Sequence, residues 1–286
     1  MTDAATLTDD GLYYAISNEA YQADPVAGGS ITSTATRGIL PPGCPAKWHH
    51  HHTAGSAPKA HFDLGTAAHK AVLGVGDDIT IIDAADWRTK AAKTARDDAR
   101  AAGKVPILQA AWDQIQAMAD AVKAHPLAHR LLAPGSGQPE VTAVWTCTTT
   151  GARCRARFDW LPNQHPGRLL VPDYKTADRA DPDAVARSVT NFGYHVQAAH
   201  YLDGLRTLGY ADPAVFLFIV QEKDPPYIVE VYELEGEALG IGLERCVQAR
   251  QLWLECRRDD RWPSYLDGAV APVTLTQWAR RQEGLT

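Results

Sequence analysis

Asp173 and Lys175 stand two apart in the segment RLLVPDYK, and Asp159 lies just upstream in RCRARFDWL. In an extended chain, side chains alternate between faces. Leu169, Val171, Asp173 and Lys175 therefore share one face, so an apolar half packs on a core and a carboxylate and an ammonium emerge from it. Arg153, Arg155, Arg157 and Asp159 share a face in the other segment. If the two segments are neighbours, Asp159 and Asp173 can converge, and two close carboxylates repel unless they share a proton or bind a cation. Mg²⁺ (or Mn²⁺) suits such a pair, because hard divalent ions take carboxylate oxygens and keep several waters. A bound ion acidifies its water, which Lys175 can orient or deprotonate while stabilising charge on a phosphoryl group. That is a phosphodiester-hydrolysing centre in outline. The competing reading is an Asp173–Lys175 surface pair at a strand end, worth ~0–1 kcal/mol, with Asp159 capping a turn.

Other residues offer themselves on type and spacing. His69 follows Gly65 in GTAAHK, as a metal ligand or a structural histidine. Gln197 and Tyr201 lie one helical turn apart, hence on one face, where packing is the alternative role. Arg157 and Arg155 could grip phosphates bidentately, or simply line a solvated sheet face.

Periodicity supplies the elements that must hold these groups. A helix is expected from His61 to Gly74, with Phe62, Ala68, Val72 and Leu73 at helical spacing, and a short strand over Ile79–Ile82. A polar helix over 85–102 and a core helix over 108–124 follow, the latter with Leu108, Trp112, Ile115, Met118 and Val122 in one stripe. Three strands fill the stretch from Glu140 to Lys175, where the period falls to two. A helix over 181–208, strands over 214–221 and 227–232, and a long helix over 235–258 complete the order. Residues 1–60 read as loops and short helices, and a last short helix is expected near 275–281.

With Asp159 ahead of a strand ending in Asp173-Tyr174-Lys175, the chain resembles the PD-(D/E)XK nuclease superfamily. The Gly65-to-His69 element and the Gln197-to-Tyr201 element resemble the GxxxH and QxxxY motifs of its RecB-like branch. The layout, including AGKVPIL before a core helix and TTTG before RARFDW, is similar to phage and prophage RecE-type exonucleases (exonuclease VIII). The resemblance covers roughly residues 28–260. It departs at Phe158, where the superfamily often has Pro.

The resemblance implies an α/β fold with a mixed central sheet flanked by helices. It implies a single nuclease domain over 1–286: an irregular segment over 1–60, a catalytic core over 61–260 and an extension over 261–286. His69, Asp159 and Asp173 would hold Mg²⁺ (or Mn²⁺), with the Tyr174 carbonyl as a backbone ligand. Lys175 would activate water, Gln197 and Tyr201 would lie near DNA and Lys175, and Glu140 would serve an outer or second metal position. The implied activity is 5′ to 3′ digestion of linear double-stranded DNA in recombination, by a ring-like homo-oligomer (trimer or tetramer) beside a single-strand annealing protein. Alternatives are a nuclease of the same fold acting on single-stranded or branched DNA, and a catalytically silent DNA-binding module.

Composition sets the outer limits. The 286 residues are 45% hydrophobic and 22% charged, which excludes disordered and collagen-like chains. A formal charge of -6 gives no overall attraction to nucleic acid or an anionic membrane, so local charge or metal ions must do that work. No apolar run is long enough to span a bilayer, and the acidic start MTDAATLTDDG is unlike a signal peptide, so the expectation is a cytoplasmic protein. Five cysteines without a CxxC pair argue against a disulfide scaffold or zinc ribbon. The run His49–His52 has ligands too close in sequence for zinc; contact with DNA beside Trp48 is the functional alternative.

Overall fold

The computed structural model describes residues 6–54, 60–76 and 78–284. Two three-stranded ladders stand at its centre. The first runs β1 (Gly11–Tyr13), β4 (Gly137–Thr146) and β5 (Arg153–Pro162), all antiparallel. The second runs β6 (Leu169–Ala177), β7 (Ala214–Glu222) and β8 (Val229–Glu233), with β6 parallel to β7 and β8 antiparallel to it. A parallel pair needs a long crossover, and here α8 (Pro182–Phe192) and α9 (Tyr194–Thr207) supply it.

β5 and β6 lie in contact without a ladder joining them. At this seam the Asp159 side chain takes the place of a strand carbonyl, its Oδ2 accepting the Tyr174 backbone N–H at 3.0 Å. Farther along the same edge of β5, Ile31 bonds to the backbone of Arg153 and Arg155.

Side-chain alternation assigns each face its helices. Val171 and Phe158 belong to the larger core with Ala198, Tyr201 and Leu205 of α9 and Trp253 of α10 (Gly236–Arg258), under which α2 (Ser33–Ile39) also packs. Tyr174, on the opposite face of β6, joins Ala68 of α4 (Ala60–Leu73), Met118 and Val122 of α6 (Gln109–Ala124) and Ala128 of α7 (Pro126–Leu131). The result is a mixed α/β core with helices on both faces. Its periphery holds α1 (Asn18–Gln22), α3 (Pro45–Ala54), α11 (Gln277–Gln282) and a unit in which β2 (Ile79–Ile82) and β3 (Val105–Leu108) pair in parallel around α5 (Lys90–Ala101).

Three expectations change. The helix over 181–208 is two, broken at Gly193, whose φ of 65° is a left-handed stop. A Cβ at Gly193 would also meet Arg37 Cδ at 2.3 Å, so α2 packs directly on the break. The polar helix begins only at Lys90, where the Thr89 side chain caps it. The first sixty residues include a strand, β1, whose place is set by Val144 far downstream.

Candidate active site

Asp173 is 2% exposed at the end of the apolar half of β6. Its Oδ1 accepts a hydrogen bond from Gln197 Nε2 at 2.8 Å, and its Oδ2 lies 2.5 Å from Lys175 Nζ. That close approach lacks hydrogen-bond directionality, so Oδ2 is a buried oxygen without a directed donor. Burial, with repulsion from Asp159, pushes the Asp173 carboxyl up to about 7 against the opposing pull of Lys175 and Gln197. Burial alone would lower Lys175, but Asp173 and Asp159 outweigh it and hold the ammonium charged. The face of Tyr194 covers that ammonium, its ring centre 5.5 Å from Nζ.

Asp159 approaches the seam from the other side. Since Phe158 packs beneath α9, Asp159 faces α4, where His69 Nδ1 lies 3.7 Å from Oδ2. The His69 ring meets Tyr174 edge-on at 5.2 Å, and the Tyr174 hydroxyl donates to Gln221 Oε1 at 2.5 Å. Tyr174 thus fixes both neighbours of the seam: its N–H holds Asp159 and its ring supports His69. The expected convergence becomes two couples, Asp159–His69 facing α4 and Asp173–Lys175–Gln197 facing α9. Among the described residues no three His, Cys, Asp or Glu side chains form a ready metal-binding cluster. The donor set still fits a hard divalent cation: two mutually repelling carboxylates, an imidazole, and the undirected, buried Oδ2 of Asp173.

A cavity of about 680 Å³ opens over this seam, lined by Thr66, His69, Glu140, Lys175, Phe192 and Tyr194 among others. Glu140 stands where β4 passes Asp159: Pro139 is opposite Trp160 and Val141 opposite Phe158. Its φ of 51° is strained for a residue with a side chain and interrupts the ladder there.

The family model of a PDDEXK-like domain of unknown function (DUF3799) matches residues 43–270. The chain belongs to this PDDEXK-like family. No curated protein matches it in sequence. A solved protein from Eubacterium rectale named "Putative exonuclease" is similar in fold, with a TM-score of 0.59 and 11% identity over 92% of this chain and 94% of that one. The solved structure of SSO0001 overlaps 73% of this chain and 84% of its own, at 14% identity and a TM-score of 0.30.

In this PDDEXK-like protein the arginine face of β5 is not open. Arg155, expected as a phosphate contact, is buried, paired with Asp24 at 2.8 Å and bonded to Ser30 Oγ at 2.7 Å, so it is withdrawn from that role. Arg157 pairs with Glu140 at 2.5 Å, which also engages Glu140 away from any outer metal position. Arg153 pairs with Asp10, and Tyr21 lies across Arg155 and Arg157 with ring centres 5.1 and 5.5 Å away. Tyr201 is likewise corrected: it is buried against Phe158 and Phe216, and its hydroxyl donates to the Arg157 carbonyl at 2.9 Å, not to the neighbourhood of Lys175. Of the Gln197–Tyr201 pair, Gln197 alone touches the acids. Tyr194 went unnoticed in the sequence, although it stands three residues before Gln197 on the same helical face.

Proposed function

We propose that this protein is a divalent-metal-dependent deoxyribonuclease, specifically an exonuclease that degrades linear double-stranded DNA from its 5′ ends. The observation that carries the reading is the seam: Asp173, Lys175 and Gln197 on one side, Asp159 and His69 on the other, beneath one open cavity. Membership of a PDDEXK-like family and the fold shared with an exonuclease-named protein support a nuclease. Direction, duplex preference, a role in phage-type recombination beside an annealing protein, and a ring-like homo-oligomer rest on the RecE-type resemblance in sequence.

His69, Asp159 and Asp173 would hold Mg²⁺ or Mn²⁺, with the Tyr174 carbonyl as a further donor. When bound, such an ion supplies Lewis-acid polarisation of the phosphodiester and a lowered pKa for water. The protein's own groups do the rest. A charged Lys175 donates hydrogen bonds and accepts none, so it orients the attacking water and neutralises charge growing on the phosphoryl oxygens. Gln197 fixes the Asp173 carboxylate in one rotamer, and Tyr194 keeps the ammonium over the cavity. Tyr174 holds Asp159 through its N–H, so the two acids keep their spacing.

The test is digestion of a linear 5′-phosphorylated duplex beside a covalently closed circle and a single strand, with Mg²⁺ or EDTA, using wild type, Asp173→Ala and Lys175→Ala. Metal-dependent loss of the linear duplex alone, absent in both variants, is expected. Cutting of the circle refutes the exonuclease reading, and full activity in either variant refutes the centre. Digestion confined to single strands would transfer the same centre to a different DNA substrate.

A further inference from the structure

Arg37 of α2 has no use in the centre described above, yet it lies against its helical scaffold. Its Cδ occupies the space that a Cβ on Gly193 would need. It is partly buried, and burial lowers its pKa while only Tyr194 opposes that shift; no carboxylate does. Among the described residues no ion pair or hydrogen bond of its guanidinium is found. A half-buried, always charged fork without an anion is an unfilled binding capacity.

Immediately before the same glycine, Phe192 ends α8 with 54% of its surface exposed. Its ring lies 5.8 Å from that of Tyr194, which itself stacks on buried Phe218 and covers Lys175. Phe192, Tyr194 and Lys175 line the one cavity. An exposed aromatic near an unpaired guanidinium suits a ligand with a flat face and an anionic backbone. An apolar protein surface would satisfy Phe192 and strand Arg37; a polynucleotide strand satisfies both.

Resting on the nuclease reading, we infer that Arg37 and Phe192 form a nucleotide subsite at the rim of the centre. Arg37 pairs with a backbone phosphate next to the scissile one, and Phe192 stacks on an unpaired base of the same strand. Tyr194 is the wall between this subsite and Lys175. The preferred occupant is the frayed end of a strand, whose terminal base is free to leave its partner.

The experiment measures binding without turnover. A fluorescently labelled single-stranded deoxyoligonucleotide, and the same strand with abasic sites, are titrated in EDTA across a salt series with wild type, Arg37→Gln, Arg37→Lys, Phe192→Ala and Phe192→Trp. Each phosphate contact on a single strand contributes about 0.7 to the slope of log affinity against log salt. Arg37→Gln is expected to flatten the slope by that amount and Arg37→Lys to restore it. Base–aromatic stacking of ~1–3 kcal/mol corresponds to a loss of about 5- to 150-fold in Phe192→Ala on the base-bearing strand. No loss is expected on the abasic strand or in Phe192→Trp. An unchanged slope in Arg37→Gln, an equal loss on both strands in Phe192→Ala, or no binding by wild type overturns the subsite. Wild type that binds as described yet cuts nothing with Mg²⁺ or Mn²⁺ removes the nuclease reading and leaves the subsite.

Discussion

Replacing Lys175 with Met keeps the side-chain length and removes the ammonium that lies 2.5 Å from Asp173 Oδ2. A buried carboxylate robbed of its partner costs ~3–5 kcal/mol if it stays ionised. A less costly route is open to Asp173, because burial and Asp159 already push its carboxyl up to about 7, and loss of Lys175 pushes it higher. The folded value then lies above the ordinary 3.8, so the native state binds the proton more tightly than the unfolded chain. The resulting stability is fully present below the unfolded value and is lost as pH rises through the folded one. In the wild type that loss runs from about pH 4 to about 7 and then stops. In Lys175→Met it continues above 7 at ~1.4 kcal/mol per pH unit. The variant should therefore match the wild type within ~1 kcal/mol near pH 6 and fall behind it by ~3 kcal/mol near pH 9. Urea unfolding in EDTA, followed by tryptophan fluorescence at several pH values between these limits, reads the difference. A gap that stays constant across the range would refute the reasoning, since Asp173 would then not be the group that titrates.

Gln197→Leu removes a hydrogen bond that favours ionised Asp173, so the acid limb of the cleavage pH profile should move to higher pH; an unmoved limb would separate Gln197 from the acid. His69→Ala, at a side chain 35% exposed, should leave the melting temperature nearly unchanged while raising at least tenfold the Mn²⁺ needed for half-maximal cleavage. Asp203→Ala strands Arg250, which is fully buried, pairs with Asp203 at 2.6 Å and contacts a His200 held neutral by burial. Denaturant unfolding should show a loss of ~3–5 kcal/mol, and Arg250→Met should recover much of it in the double variant.

The three central strands were legible because their alternation is strict: charged against apolar in β5, apolar then chemical in β6. The break at Gly193 was less visible, as α8 and α9 each carry helical periodicity and a lone Gly inside such a pattern is tolerated; Asn191-Phe192-Gly193 was nonetheless a stop signal. The arginine strand shows the limit of local reading. Alternation correctly grouped Arg153, Arg155 and Arg157, but the group's surroundings depend on Asp10, Tyr21 and Asp24, more than a hundred positions upstream. Tyr201 fails for a related reason: helical spacing places it with Gln197 on one face, while depth in the core separates a residue on the acids from one beneath them.

That upstream segment has a bearing on how the chain is made. Leu7 through Ile31 rests on β4 and β5 across more than a hundred positions, and contacts of such sequence separation are slow to close. Until then Arg155 keeps its hydration, and afterwards it is sealed under Tyr21 with Asp24 as its counter-ion. This upstream segment thus completes the seal over β5, its acids matched to a strand more than a hundred positions downstream. Salt that screens the approach of these charges should slow the refolding phase in which Arg155 is sealed.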